Sequence, residues 1–179
     1  MACALTTGFI LDCKDAMAGV KSVRFAPLAS YTALSATVSS GSITAWGSAS
    51  TVFYKYEQLK ETSSFTDGVM ANPQTGGLHF EPSVVVVLPK LTAAKRNEIR
   101  LLAKNVLVAI VELMDGTFVL CGQANGLDLS EGSGGTGTAA GDLNGYTLTF
   151  TGKEPEPHLY LTSALATAVT SATTTSVSA

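Results

Sequence analysis

Two apolar runs separated by a turn signal dominate the pattern of the chain. Residues 106–114, Val-Leu-Val-Ala-Ile-Val-Glu-Leu-Met, lead into Asp115-Gly116 and then into Thr-Phe-Val-Leu-Cys over residues 117–121. β-Branched residues on both sides of an Asp-Gly pair predict a β-hairpin whose tight two-residue turn takes its positive φ angles from those two residues. The first strand is apolar almost throughout, the pattern of a strand covered on both faces, either by a helix and a second sheet or by a neighbouring subunit. Just before it the period becomes helical. Thr92 stands as an N-cap, residues 93–104 place Ala94, Ile99, Leu102 and Ala103 broadly on one side, and Asn105 is a left-handed stop. Lys95, Arg96, Arg100 and Lys104 crowd the remaining surface, so this helix packs along one face and is basic on the other. The plain reading of the basic face is solvation; the sharper one is docking onto an acidic surface of another subunit.

Residues 79–88 carry strong β-propensity, interrupted by Pro82 and ended by Pro89, and residues 20–25, 41–46 and 52–59 are shorter strand candidates with partial alternation. Over residues 146–151, Tyr146, Leu148 and Phe150 alternate with threonines, which predicts a half-buried strand with one polar face. The connection over residues 60–78 mixes turn residues with a few apolar ones. Connections of this length in compact domains are uncommon and usually functional or mobile; this one can extend its two flanking strands into a long arm. Residues 1–162 read as one β-rich domain, and the Ala/Ser/Thr-rich residues 163–179 as a flexible or partner-ordered extension.

Composition narrows the class. Charged residues make up 14% of the 179, where about 25% is usual. Ser, Thr, Ala and 17 Gly fill the gap, and 46% of the chain is hydrophobic, so general disorder is excluded and a folded, mainly β protein remains. A net charge of −3 with 11 Lys and Arg argues against a grip on nucleic acid. A weakly charged Ser/Thr surface also gives little protection against self-association, which suits a chain that lives in an assembly. Cys3, Cys13 and Cys121 show no C-x-x-C spacing and read as small buried apolar residues, as in a reducing cytoplasm. The opening residues lack a basic segment with a following apolar run, and no stretch reaches the roughly 20 apolar residues of a membrane span. A soluble protein without membrane insertion is the expectation.

No motif for chemistry holds together. Residues 132–137 match G-x-G-x-x-G, yet the next residues, 138–145, cannot form the helix a dinucleotide site needs, and the stretch reads as a flexible hairpin loop. His79 and His158 have no patterned nucleophile or carboxylate around them. Glu154 and Glu156 alternate with Pro155 and Pro157, which predicts an extended, solvated segment for both carboxylates. Trp46, Tyr54 and Tyr56 read as core or interface packing. No catalytic residue, cofactor or metal ligand is expected, and the chain is not expected to be an enzyme.

The order of strand, helix 92–104, hairpin at Asp115-Gly116, Gly-rich residues 126–137 and the closing Asp-Leu-Asn-Gly-Tyr-Thr-Leu-Thr-Phe-Thr-Gly-Lys-Glu-Pro-Glu-Pro of residues 142–157 resembles bacteriophage tail tube proteins and related tail structural subunits. Residues 8–23 are similar to the start of small structural proteins from phages of Bacteroidetes hosts. The resemblance implies a β-sandwich or barrel with one flanking helix, six copies per ring, and stacked rings that form the conduit for DNA ejection. It implies a homo-oligomer in the virion tail, assembled in the host cytoplasm, with other tail proteins as partners and DNA only in transient passage. Under it, Glu57, Glu61, Asp67, Asp128, Glu131 and Asp142 are candidate lumen-facing acids, the helix face of Lys95, Arg96, Arg100 and Lys104 is an inter-subunit surface, and the 60–78 segment is an arm carrying Phe65, Val69 and Met70. Collar, ring, terminator or capsid-decoration roles are the alternatives, followed by a carbohydrate-binding β-sandwich.

Overall fold

The computed structural model describes residues 8–9, 17–32, 35–46, 51–162 and 165. Cys3, Cys13 and all of the 163–179 extension except Leu165 lie outside them. In chain order the elements are β1 (Val20–Pro27), α1 (Leu28–Thr32), β2 (Thr37–Ser39), β3 (Ser42–Ala45), β4 (Tyr54–Glu57), β5 (Ser64–Asn72), β6 (Gly77–Pro89), α2 (Ala93–Leu102), β7 (Leu107–Leu113), β8 (Phe118–Cys121), β9 (Asp128–Gly135), β10 (Gly145–Thr151) and β11 (Leu159–Leu161). They form a seven-stranded sheet, in the order β2-β3-β11-β8-β7-β1-β4, and a four-stranded sheet, in the order β5-β6-β10-β9.

The two sheets pack face to face as a β-sandwich. Alternation along β1, β6, β7 and β10 turns Val23, Phe25, Val84, Val86, Ala109, Val111, Leu148 and Phe150 into one buried cluster, which Ile99 and Leu102 of the flanking helix α2 join. Phe25 and Phe150 meet across it with ring centroids 4.6 Å apart. Each such large side chain contributes about 1.5–3 kcal/mol on full burial. Residues of opposite parity on the seven-stranded sheet, Ala26, Val108, Ile110, Leu120 and Leu159, form a second cluster with Ile43, Phe53 and Tyr31 of α1. Both faces of β7 are thus covered within one chain: a second sheet lies over one face, and the segments around α1, β3 and Phe53 lie over the other.

Several local expectations are corrected. The Asp115-Gly116 turn is not a two-residue loop. The Leu113 N–H donates to Thr117 O at 2.9 Å and the Gly116 N–H to Leu113 O at 3.2 Å, with Gly116 alone at positive φ, +88°. That is a three-residue loop: a type I turn closed by a left-handed glycine. Helix α2 stops at Leu102 with Ala103 right-handed, and Asn105 closes it through its side chain, Nδ2 donating to Leu101 O at 2.8 Å. Ala94 and Ala103 are exposed, so the packing face is Ile99 and Leu102. The Gly-rich residues 132–135 are strand, not loop. At Gly134, paired with Tyr146, a Cβ would sit 2.6 Å from the Tyr146 ring, so the absence of a side chain lets the ring lie across β9.

Candidate assembly surfaces

The 60–78 connection is largely strand. β5 and β6 pair without interruption from Ser64↔Val85 to Asn72↔Gly77, and the four residues between them turn the chain back. Cross-strand partners share a face, which puts Val69, Phe80, Ala71 and Leu78 on one side of the hairpin and Met70 and His79 on the other. The first side continues the core-facing side of the four-stranded sheet past the point where the opposite sheet ends. Val69 is 63% exposed and Leu78 58%. Met70 is also exposed, on the opposite face from Val69. Phe65 does not belong to this protruding part: it is half-buried against the sandwich core.

The base of the arm is clamped. Asp67 Oδ2 accepts the His158 backbone N–H at 3.0 Å and lies 2.7 Å from Nδ1 of the same residue. A carboxylate only accepts, so Nδ1 carries the proton. Phe65 and Tyr160 contact the His158 ring edge-on at 5.4 and 5.1 Å. Residues 152–154 lie beside β6: Phe80 and Glu154 exchange two backbone hydrogen bonds, at 2.9 and 2.8 Å. The Glu154 side chain corrects the solvated reading of the Glu-Pro-Glu-Pro segment, residues 154–157. It is buried and accepts the N–H groups of Ala124, Asn125 and Gly126, each at 3.0 Å, which ties the β8–β9 connection down. Pro155 and Glu156 are exposed, as expected for an extended segment.

The six acids named as lumen-facing do not share one surface. Glu57 sits on edge strand β4, paired with Lys55 at 2.9 Å, and that bond holds its carboxyl below the usual range. Glu61 is exposed in the β4–β5 connection. Asp67 is largely withdrawn from solvent by His158 and points to the inner side of its sheet. Asp142 Oδ2 accepts the N–H groups of Thr138 and Ala139, both at 2.7 Å, which lowers its pKa. Asp128 and Glu131 share one strand, both exposed on β9 at the far edge of the four-stranded sheet. Their cross-strand partners Thr151 and Thr149 face outward, because Leu148 and Phe150 face the core. On this outer side a cleft of about 580 Å3 is lined by Glu81, Ser83, Asn125, Asp128, Thr151 and Lys153, among others. Arg96 and Arg100 on α2 and Lys104 just past its end are exposed, while Lys95 turns its ammonium back to Pro89 O.

A charged cluster that the residue pattern did not reveal lies on the opposite side of the seven-stranded sheet. Arg24, 2% exposed, donates from Nη2 to Glu112 Oε2 at 2.9 Å, and its Cζ lies 5.2 Å from the centre of the Phe118 ring. Ser22 and Lys21 also bond Glu112, each at 2.7 Å. Burial pushes the Glu112 carboxyl up, but the bonds from Lys21, Ser22 and Arg24 outweigh it and hold the pKa at about 2. Part of the signal was present: Glu112 is the one charge in the apolar run of residues 106–114, and a charge carried into burial must find a partner.

Other reactive groups are quiet. The Cys121 thiol is fully enclosed, and burial, with Asp67 and Glu154 nearby, pushes its pKa upward, away from the thiolate. Tyr56, also raised by burial, donates to Glu98 at 2.8 Å. Trp46 and Tyr31 pack edge to face at 6.1 Å beside the second core, and Tyr54 is exposed. Among the described residues no three His, Cys, Asp or Glu converge as a metal site requires, and no helix is long and apolar enough to cross a membrane. Known proteins add nothing to this geometry: no family model, no curated protein and no solved structure matches the chain.

Proposed function

We propose that the chain is a self-assembling virion subunit, a phage tail tube protein whose copies close into rings, six to a ring, that stack into the conduit for DNA ejection. The observation that carries this reading is the β5–β6 hairpin. It projects past the sandwich with Val69, Ala71, Leu78 and Phe80 on one face, and β5 leaves its outer edge without a strand partner among the described residues. A monomer gains nothing from an exposed apolar strip on a long regular edge strand, which invites pairing and aggregation; a subunit that seats this hairpin on a neighbour buries both. β9, the other edge of the same sheet, also has no second strand partner among the described residues, so strand alignment between copies has an edge on each side to use. The acids, spread over several surfaces, add no support for an acidic lumen.

The test is assembly itself. Concentrated protein is expected to form rings or tubes in negative-stain images, with scattering that grows with concentration. Replacing residues 70–79 by Asn-Gly keeps the Val69↔Phe80 pair as the last rung and is expected to give a folded monomer. Wild-type protein that stays monomeric when concentrated, or a shortened variant that assembles as well as wild type, overturns the reading.

A further inference from the structure

Charge is scarce in this chain and unevenly placed. Five of the 11 Lys and Arg fall between residues 90 and 104: Lys90, Lys95, Arg96, Arg100 and Lys104. The one acid in that stretch, Glu98, is held by the Tyr56 hydroxyl. Arg96 and Arg100, four apart on α2, lie on one face with Cβ atoms roughly 5–6 Å apart, and Lys104 follows four residues on, just past the end of the helix. All three are exposed, and none pairs with an acid among the described residues. Like charges at this spacing repel one another, so the monomer keeps a repulsion that an opposite surface would relieve.

That surface is the outer side of the four-stranded sheet. Asp128 and Glu131 are exposed there, with no ion pair among the described residues, and Glu81 lies beyond Asp128 across the cleft. Glu81 engages His79 at 3.1 Å and Lys153 at 3.7 Å, a loose contact to a side chain 75% exposed. Around the acids the cleft is lined by Ser83, Thr151 and Asn125, with Lys153 its one cation. The two surfaces sit on different elements, and no described ion pair joins them within the chain.

We infer that the basic row of α2 on one copy docks against the Asp128, Glu131 and Glu81 surface of a second copy. The inference rests on the self-assembly reading and names the contact it uses. A second copy fits better than a polyanion, because the whole chain is net negative and carries the matching acids itself. The two surfaces differ, so the contact is heterologous: each copy offers a basic row to one neighbour and an acidic face to the other, which propagates into a ring or filament instead of stopping at a dimer. Charges at such a contact set register and partner choice more than raw affinity.

A charge swap on the full chain tests this. Arg96→Glu with Arg100→Glu makes one variant, and Asp128→Lys with Glu131→Lys the other; all four positions are exposed, and circular dichroism checks the fold of each. Neither variant alone is expected to assemble at concentrations where wild type does, and a one-to-one mixture is expected to restore assembly, because each acidic helix then meets a basic sheet. Either variant assembling alone as wild type does, or a mixture of two folded variants that stays monomeric, overturns the inference and leaves the arm-based reading standing. Wild-type protein that fails to assemble and instead retains duplex DNA, with retention lost in Arg96→Glu/Arg100→Glu, overturns both.

Discussion

β7 has a strand on each side and a core on each face; among the described residues β5 has one neighbouring strand and, past Asp67, carries its apolar residues into solvent. The two strands draw on similar apolar residues, yet Val111 is fully buried and Val69 largely exposed. The seven-stranded sheet with its doubled core is the scaffold, and it holds Arg24 at 2% exposure against Glu112. The four-stranded sheet spends one face on the same core and leaves its edges, its outer face and its hairpin for contact. Stability and association are therefore separable in this molecule, and substitutions in the two regions should move different measurements.

The largest effect is expected in the scaffold. Glu112→Gln leaves Arg24 charged, buried and poorly matched, and should cost about 3–5 kcal/mol in urea unfolding; a loss below about 1 kcal/mol would show that the cluster is not a structural centre. The same group sets an acid limit. Its pKa of about 2 lies below the ordinary 4.5, so its stabilisation is fully present above about pH 4.5 and is lost as pH falls toward 2. Glu112→Gln should flatten that part of the stability curve. Next comes the Glu154 tie. Glu154→Gln weakens acceptance from three backbone N–H groups and should cost about 1–3 kcal/mol, with the amides of Ala124, Asn125 and Gly126 losing hydrogen-exchange protection first. Smallest in stability is the arm. Val69→Ser with Leu78→Ser should leave unfolding within about 0.5 kcal/mol of wild type while raising the concentration needed for assembly. A large loss of stability there would erase the distinction between the regions.

Legibility followed the range of the interactions. The hairpin at Asp115-Gly116, helix α2 and strands β1, β6 and β10 announce themselves because alternation, capping and turn chemistry act within a few residues. β9 was hidden: Asp-Leu-Ser-Glu-Gly-Ser-Gly-Gly has almost no β-propensity and becomes a strand only because β10 presents a ladder to it. Turn residues likewise masked β5, whose partner lies directly beyond the turn. Of the surface residues singled out, the basic row needed only helical spacing, whereas Asp67, one of six acids alike in sequence, is set apart by a histidine 91 positions away.

From the residues alone came a mainly β chain with one amphipathic basic helix, little charge and an arm-like connection, since local period and composition record which side of each element is apolar. Only the tertiary structure decided that Glu154 is buried while Glu156 is exposed, that Arg24 meets Glu112 across 88 positions, and that the apolar face of the arm leaves Val69 and Leu78 uncovered by any described residue. Desolvation and cross-strand pairing depend on which distant segments arrive at the same place, and a local pattern reads the same whether or not they do.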